Sequence, residues 1–153
     1  DGLAAEIKII DLGGRLIGSF GGFGQLANPK GIALDPAHGE VVVTDYGMSG
    51  PGISASIQLF DLSGYHLDTI SGAFSRPQGV TAAAGKIYVA DAVLGQILTF
   101  DRATGAAAGT YGCFGSSAGH LLLPMDVALD GGGQNLLVAD TDNGRISVLP
   151  LNP

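Results

Sequence analysis

Short apolar runs closed by aspartate or glycine recur along this chain, and none sustains the 3.6-residue period of an amphipathic helix. The runs come in a fixed order. "GIALD" is followed by "EVVVTD", "SIQLFD" and "YHLDTIS". The order returns as "GVTAA", "KIYVAD", "QILTFD" and "AAAGTYG", and returns again through "NLLVAD" and "RISVLP". Enrichment in Val, Ile, Tyr and Phe marks these runs as strands. The breaks "PAHG", "AAG", "DGGGQ", "LSG" and "RATG" are short and supply glycine where a hairpin needs positive φ. Pro29, Pro77 and Pro124 recur at spacings of 48 and 47, and Asp45, Asp91 and Asp140 at 46 and 49. The opening "DGLAAEIKIID" aligns with "DAVLGQILTFD", which places Asp1 where Asp91 sits and Ile7 where Ile97 sits. The pattern predicts an all-β chain of four-stranded antiparallel units, strands a to d, repeating about every 46 residues. A single unit cannot bury both faces, so units stack on one another.

These motifs carry a resemblance. "NPKGIALD", "VADTDNGRISV", "QILTFD" and "SIQLFD" resemble the NHL repeat, and the linkers "GSFGGFG" (18–24) and "GTYGCFG" (109–115) resemble that family's blade-to-blade segment. The resemblance implies a β-propeller, with a partial blade over 1–27, blades over 28–75 and 76–122, and a partial blade over 123–153. It covers nearly the whole chain, about three to three and a half blades, and implies a place in a six-bladed ring. Tryptophan is absent, which weighs against WD-type blades. Two arrangements complete such a ring: further blades of a longer chain, or a homodimer in which each copy gives two whole blades and one hybrid.

The register decides how to read "VADTDNGRI" (138–146), which looks like the start of a calcium loop. An EF-hand loop needs oxygen ligands at positions 1, 3 and 5, glycine at 6 and glutamate at 12. Counted from Asp140, position 5 is Gly144, position 6 is Arg145 and position 12 is Leu151. The loop fails, and Arg145 would oppose a cation. Asp45, Asp91 and Asp140 are instead expected to hold the b–c turn by accepting backbone N–H groups. Asp142, Asn143 and Arg145 then become exposed turn residues open to a partner, with Arg145 also placed to pair with a neighbouring acid. No metal site is expected.

The first complete unit departs from the pattern. Eleven residues separate Asp45 from Ile57, against five between Asp91 and Ile97. The inserted b–c loop carries Tyr46 and Met48, both good contact residues. In a propeller, strand a is innermost and the b–c and d–a loops share one face, where binding loops sit on a rigid scaffold. Asn28, Arg76 and Leu123 each precede a strand-a proline and fall near the channel mouth of that face. They are chemically unlike, which is poor chemistry for a metal.

Composition narrows the function classes. The 153 residues hold 46% hydrophobic and 14% charged residues, so the chain is globular. Net charge is −7, and the seven basic residues (Lys8, Arg15, Lys30, Arg76, Lys86, Arg102 and Arg145) are widely spaced. A phosphate-tracking surface needs clustered basic residues, so nucleic acid is not expected as a partner. No 18-residue apolar run is present, so no membrane span is expected. The opening residues are no signal peptide, and the expected setting, secreted or periplasmic, rests on no residue. Cys113 is alone, sits between Gly112 and Phe114, and is expected to be a small packed side chain. His38, His66 and His120 fall on different turns and do not form one ligand set. No Ser–His–Asp spacing and no phosphate-cradling loop is present, and no cofactor is expected. The reading is a non-catalytic scaffold that binds a protein or extended ligand through its loop face. The alternative is part of a propeller lyase or hydrolase with a metal in the channel.

Overall fold

The computed structural model describes residues 4–22, 24–48 and 54–151. The first sheet pairs β1 (Glu6–Ile10) with β2 (Leu16–Gly21). The second is a four-stranded meander of β3 (Pro29–Asp35), β4 (Glu40–Asp45), β5 (Ser56–Asp61) and β6 (His66–Ser71). The third repeats it with β7 (Pro77–Ala83), β8 (Lys86–Asp91), β9 (Gln96–Asp101) and β10 (Ala107–Tyr111). A two-residue pair follows, β11 (Cys113–Phe114) beside β12 (His120–Leu121). The last sheet holds β13 (Pro124–Leu129), β14 (Asn135–Asp140) and β15 (Arg145–Pro150), with the 3-10 turn Thr141–Asn143 between the last two. All pairings are antiparallel except β11 with β12, which run parallel.

Five of the hairpins are tied by an aspartate near the end of the first strand, while the β7–β8 turn closes on Ala84 and Gly85 at positive φ without one. Asp61 Oδ1 accepts the Ser63 and Tyr65 N–H groups at 2.8 and 2.9 Å. Asp11, Asp35, Asp101 and Asp130 do the same for their own turns. The hydroxyl of Ser63 and the side chain of Thr104 hold the Asp61 and Asp101 carboxyls below the ordinary range. This is Asx-turn chemistry, and it explains why so many strands end in Asp.

The sheets stack face to face in chain order. Ala5 and Leu26, with Ile7 and Phe20 against them, pack on Val41, Val43 and Phe60 of the second sheet. The other face of that sheet gives Val42, Ile57, Leu59 and Ile70 to a core shared with Val80, Ile87, Val89, Leu98 and Phe100. The far face of the third sheet gives Tyr88, Ala90 and Ile97 to a core shared with Val127, Leu136, Val138 and Leu149. Period-2 alternation thus feeds a separate core on each side of an inner sheet. Arg102 Nε and Nη2 clamp Glu40 at 2.6 Å each, joining the third sheet to the second where both side chains are nearly buried.

The strands that open each sheet lie closest together. A Cβ at Gly31 would stand 2.5 Å from the Gln78 carbonyl, and one at Gly79 would stand 2.6 Å from Cα of Asp126. Glycine is needed here because backbone faces backbone. The Thr44 hydroxyl donates to the Gln78 carbonyl across the same seam.

One expectation needs correcting. Cys113 is exposed, not packed. Gly112, at φ +76°, turns the chain so that Leu121 fills the core, and a Cβ on Gly112 would meet Leu121 Cδ1 at 2.8 Å. The blade-to-blade linker after Tyr111 also holds a pairing that the sequence does not announce, Cys113–Phe114 in parallel with His120–Leu121. Two residues of pairing leave no periodicity to read.

Candidate functional site

The end of the second strand of each of these sheets meets the loop that enters the first strand, and Asp45, Asp91 and Asp140 are buried at these meeting points. Asp45 accepts the N–H groups of Ala27 and Asn28 at 2.6 and 2.8 Å, and of Gly47 at 2.8 Å. Asp91 accepts those of Ser75 and Arg76, and of Val93 and Leu94, between 2.7 and 3.2 Å. Each carboxylate therefore ties two segments, its own b–c turn and the incoming d–a loop. The second tie spans 15 to 18 residues and has no local signal in the chain.

Asp140 makes the tie differently. The Leu122 N–H donates to it at 2.7 Å, and the rest of its partners are side chains: Asn143 Nδ2 at 2.9 Å, Arg145 Nε at 2.8 Å and the Ser147 hydroxyl at 2.9 Å. Burial pushes this carboxyl up, but the Leu122 N–H, Asn143, Ser147 and Arg145 outweigh it and hold the group below its ordinary range. Asn143 also donates to the Gly115 carbonyl at 3.0 Å. Arg145 donates to the carbonyls of Ser116, Ser117 and His120 at 3.2, 3.0 and 2.9 Å. Expected as exposed contact residues, Asn143 is half-buried on Asp140 and the Gly115 carbonyl, while Arg145 is exposed but has its guanidinium engaged on Asp140 and the carbonyls of the 116–120 loop. A guanidinium against a saturated carboxylate leaves no place for a cation. Asp142 is exposed.

The other candidates lie on the same end of the sheets. Tyr46 is partly exposed, with its N–H on the Asn28 carbonyl at 3.0 Å, and Met48 is 58% exposed. The next residues of that loop, 49–53, lie outside the described residues. Asn28 is half-buried. Arg76 is exposed, and no carboxylate among the described residues pairs with its guanidinium. Leu123 takes φ +52°, a strained value for a branched side chain, where the 115–120 loop drops into β13.

Two exposed side chains on this end were missed. Val93 stands on the b–c turn of the third sheet, and Phe114 crosses above it, its Cα 2.8 Å from the Cβ that Gly95 lacks. Both sit in segments read as connections, and only their exposure singles them out. Lower on the strands, a concavity of about 400 Å³ is lined by Lys30, Gln78, Gly79, Met125 and Asp126. The Gln78 Nε2 atom is buried with no acceptor among the described residues. Among those residues no group of three His, Cys, Asp or Glu is placed to hold a metal. The three histidines are separately engaged: His38 with Asp35, His66 with Gln58, and His120 with the Ala118 carbonyl.

No protein-family model matches the chain. Its fold is similar to a chain in the crystal structure of a nidogen/laminin complex, with a TM-score of 0.74 and 20% identity over 99% of this chain. The chain is a run of β-propeller blades. It spans 53% of that similar chain. The likeness is one of propeller fold and does not single out the NHL type. In propeller terms β3, β7 and β13 are the innermost strands, and the concavity at Gln78 and Asp126 lies along the channel wall. Tyr46, Met48, Val93, Phe114 and Arg76 stand on the loop face.

Proposed function

We propose that this propeller is a non-catalytic NHL-type scaffold that binds a protein or extended ligand through its loop face. The observation that carries the reading is the lengthened b–c loop, which adds exposed contact residues to a face where successive blades also place exposed apolar side chains; the opposite turns expose Leu12, Leu62 and Tyr65 but carry no such insertion. Tyr46 and Met48 come from one b–c loop, Val93 from the next, and Phe114 from the linker beside it. Buried side chains are what a soluble fold needs, whereas apolar contact residues gathered on loops are what a partner needs. Arg76, with no carboxylate partner, adds an orienting charge. The propeller in the nidogen/laminin complex belongs to a protein–protein assembly, which supports the same use of the fold.

Photo-crosslinking in the native source tests this. A photoreactive residue at Met48 or Val93 is expected to give adducts, and one at Ala37 or Ala103 on the opposite turns is not. Equal adducts from both faces would sink the reading. Stoichiometric calcium or zinc in the purified protein would instead favour the lyase or hydrolase reading. The outward face of the last sheet exposes Ala128, Ile146 and Val148, and β3 exposes Ile32 and Leu34. We propose that these faces take further blades or a second copy, which solution mass distinguishes.

A further inference from the structure

A second surface lies on the outer rim of the third sheet, away from the loop face. β10 is the edge strand there, and Ala107, Ala108, Gly109 and Thr110 are all exposed. An edge strand leaves alternate N–H and C=O groups unpaired, and proteins usually guard it with charge or proline. The neighbouring edge strand β6 carries Asp68 and His66. β10 has no such guard, and from Ala103 to Gly119 the chain holds no charged residue, in a protein of net charge −7. A register shift between Ala107 and Gly109 leaves the ladder regular from Gly109 to Tyr111.

The strand is flanked by two unlike concavities. On the side of the preceding blade an apolar pocket of about 240 Å³ is lined by Gly72, Leu98, Phe100 and Ala107. Gly72 keeps it open, since a Cβ there would stand 3.0 Å from the Phe100 ring. On the other side a hollow of about 290 Å³ is lined by Lys86, Thr99, Ala108 and Tyr111. The Thr99 hydroxyl is buried without a partner among the described residues; Lys86 stands opposite Asp101 and interacts with its charge, but no carboxylate among those residues lies within ion-pair distance of it.

We propose that β10 takes an extended peptide segment as a fifth strand, with an apolar side chain in the Leu98–Phe100 pocket and an acidic one toward Lys86. Successive side chains of a strand point to opposite faces, so a period-2 segment supplies one residue type to each hollow while its backbone completes the edge. A basic residue in the second hollow would meet Lys86 as a like charge. The protein's overall charge opposes an acidic ligand at long range, so the uncharged strip from 103 to 119 is what permits the approach.

The probe is a capped, fluorescent peptide of four alternating valine–glutamate pairs, compared with a valine–lysine twin. The expected result is saturable binding of the first with slowed hydrogen exchange at the β10 amides. Lys86→Glu is expected to weaken it about tenfold by charge reversal. Ala107→Phe, which fills the apolar pocket from an exposed position, is expected to weaken it similarly. Equal binding of the lysine twin, no binding, or slowed exchange on the loop face would overturn the proposal. So would slowing of β10 exchange with protein concentration alone, which would mark the edge as a contact between copies. None of these outcomes bears on the crosslinking at Met48 and Val93.

Discussion

Asp91 and Asp140 occupy the same place in successive blades and tie the same two segments, yet with different partners. Asp91 is held by four backbone N–H groups and, among the described residues, by no side chain. Asp140 is held by one backbone N–H and three side chains. The difference follows from the backbone. At Asp91 the turn closes directly, with the Gly95 N–H on the Asp91 carbonyl at 3.0 Å. At Asp140 a 3-10 turn intervenes, its Asp142 N–H reaches the Leu122 carbonyl at 3.1 Å, and Leu123 adopts positive φ. The turn N–H groups no longer face the carboxylate, and Asn143, Arg145 and Ser147 replace them. A backbone-built tie tolerates changes in its neighbours, while a side-chain-built tie does not.

The largest effect is expected at Asp91. Asp91→Ala leaves four N–H groups facing an apolar gap, and it should destabilise by about 3–5 kcal/mol in urea unfolding. Asp140→Ala should cost less, about 2–4 kcal/mol, because Arg145 is exposed enough to rehydrate. Equal losses would mean that the two ties are energetically alike. Gly79→Ala probes the seam between blades. Its Cβ must displace backbone at Asp126, and about 2–3 kcal/mol should be lost, with the midpoint shifted and the slope unchanged.

Arg145→Ala is the next step down, at about 1–2 kcal/mol, and it carries a pH signature. The Asp140 carboxyl is held below its unfolded value, so its stabilising contribution is complete above about pH 4 and fades as pH falls through the lower folded value. Removing Arg145 raises that folded value toward the unfolded one, so stability in the variant should fall less steeply as pH drops below about 4. An unchanged slope would show that Arg145 does not act through Asp140. The smallest effect on stability is expected for Tyr46→Ser with Met48→Ser, below about 0.5 kcal/mol, because neither side chain is in a core. That pair should lose the crosslinking partner while thermal unfolding stays put.

Much of the scaffold was legible because strand chemistry is local. Alternating Val and Ile, aspartate-closed hairpins and the 46-to-49-residue spacing of Asp45, Asp91 and Asp140 all lie within reach of a sequence window. The candidate site was legible only in part. The inserted loop announced Tyr46 and Met48 by its length. Val93 and Phe114 carried no such mark, since an apolar residue in a turn reads the same whether it is buried or exposed. Asn143 and Arg145 were expected as exposed contacts because turn residues usually are, and of their ties only an acid partner for Arg145 was foreseen. Their partners Gly115, Ser116 and Ser117 lie 28 or 29 residues away, beyond any local rule.

The amino-acid sequence by itself determined the strands, their order and the repeating unit, because hydrogen-bonded hairpins depend on neighbours in the chain. Only the tertiary structure decided which aspartate is tied by backbone and which by side chains, which thiol faces solvent, and where glycine must stand between innermost strands. The aspartate ties depend on the loop that enters each blade, and the glycines on what the next blade brings within 3 Å. That distance is set by stacking two sheets face to face, and it is written in neither sheet alone.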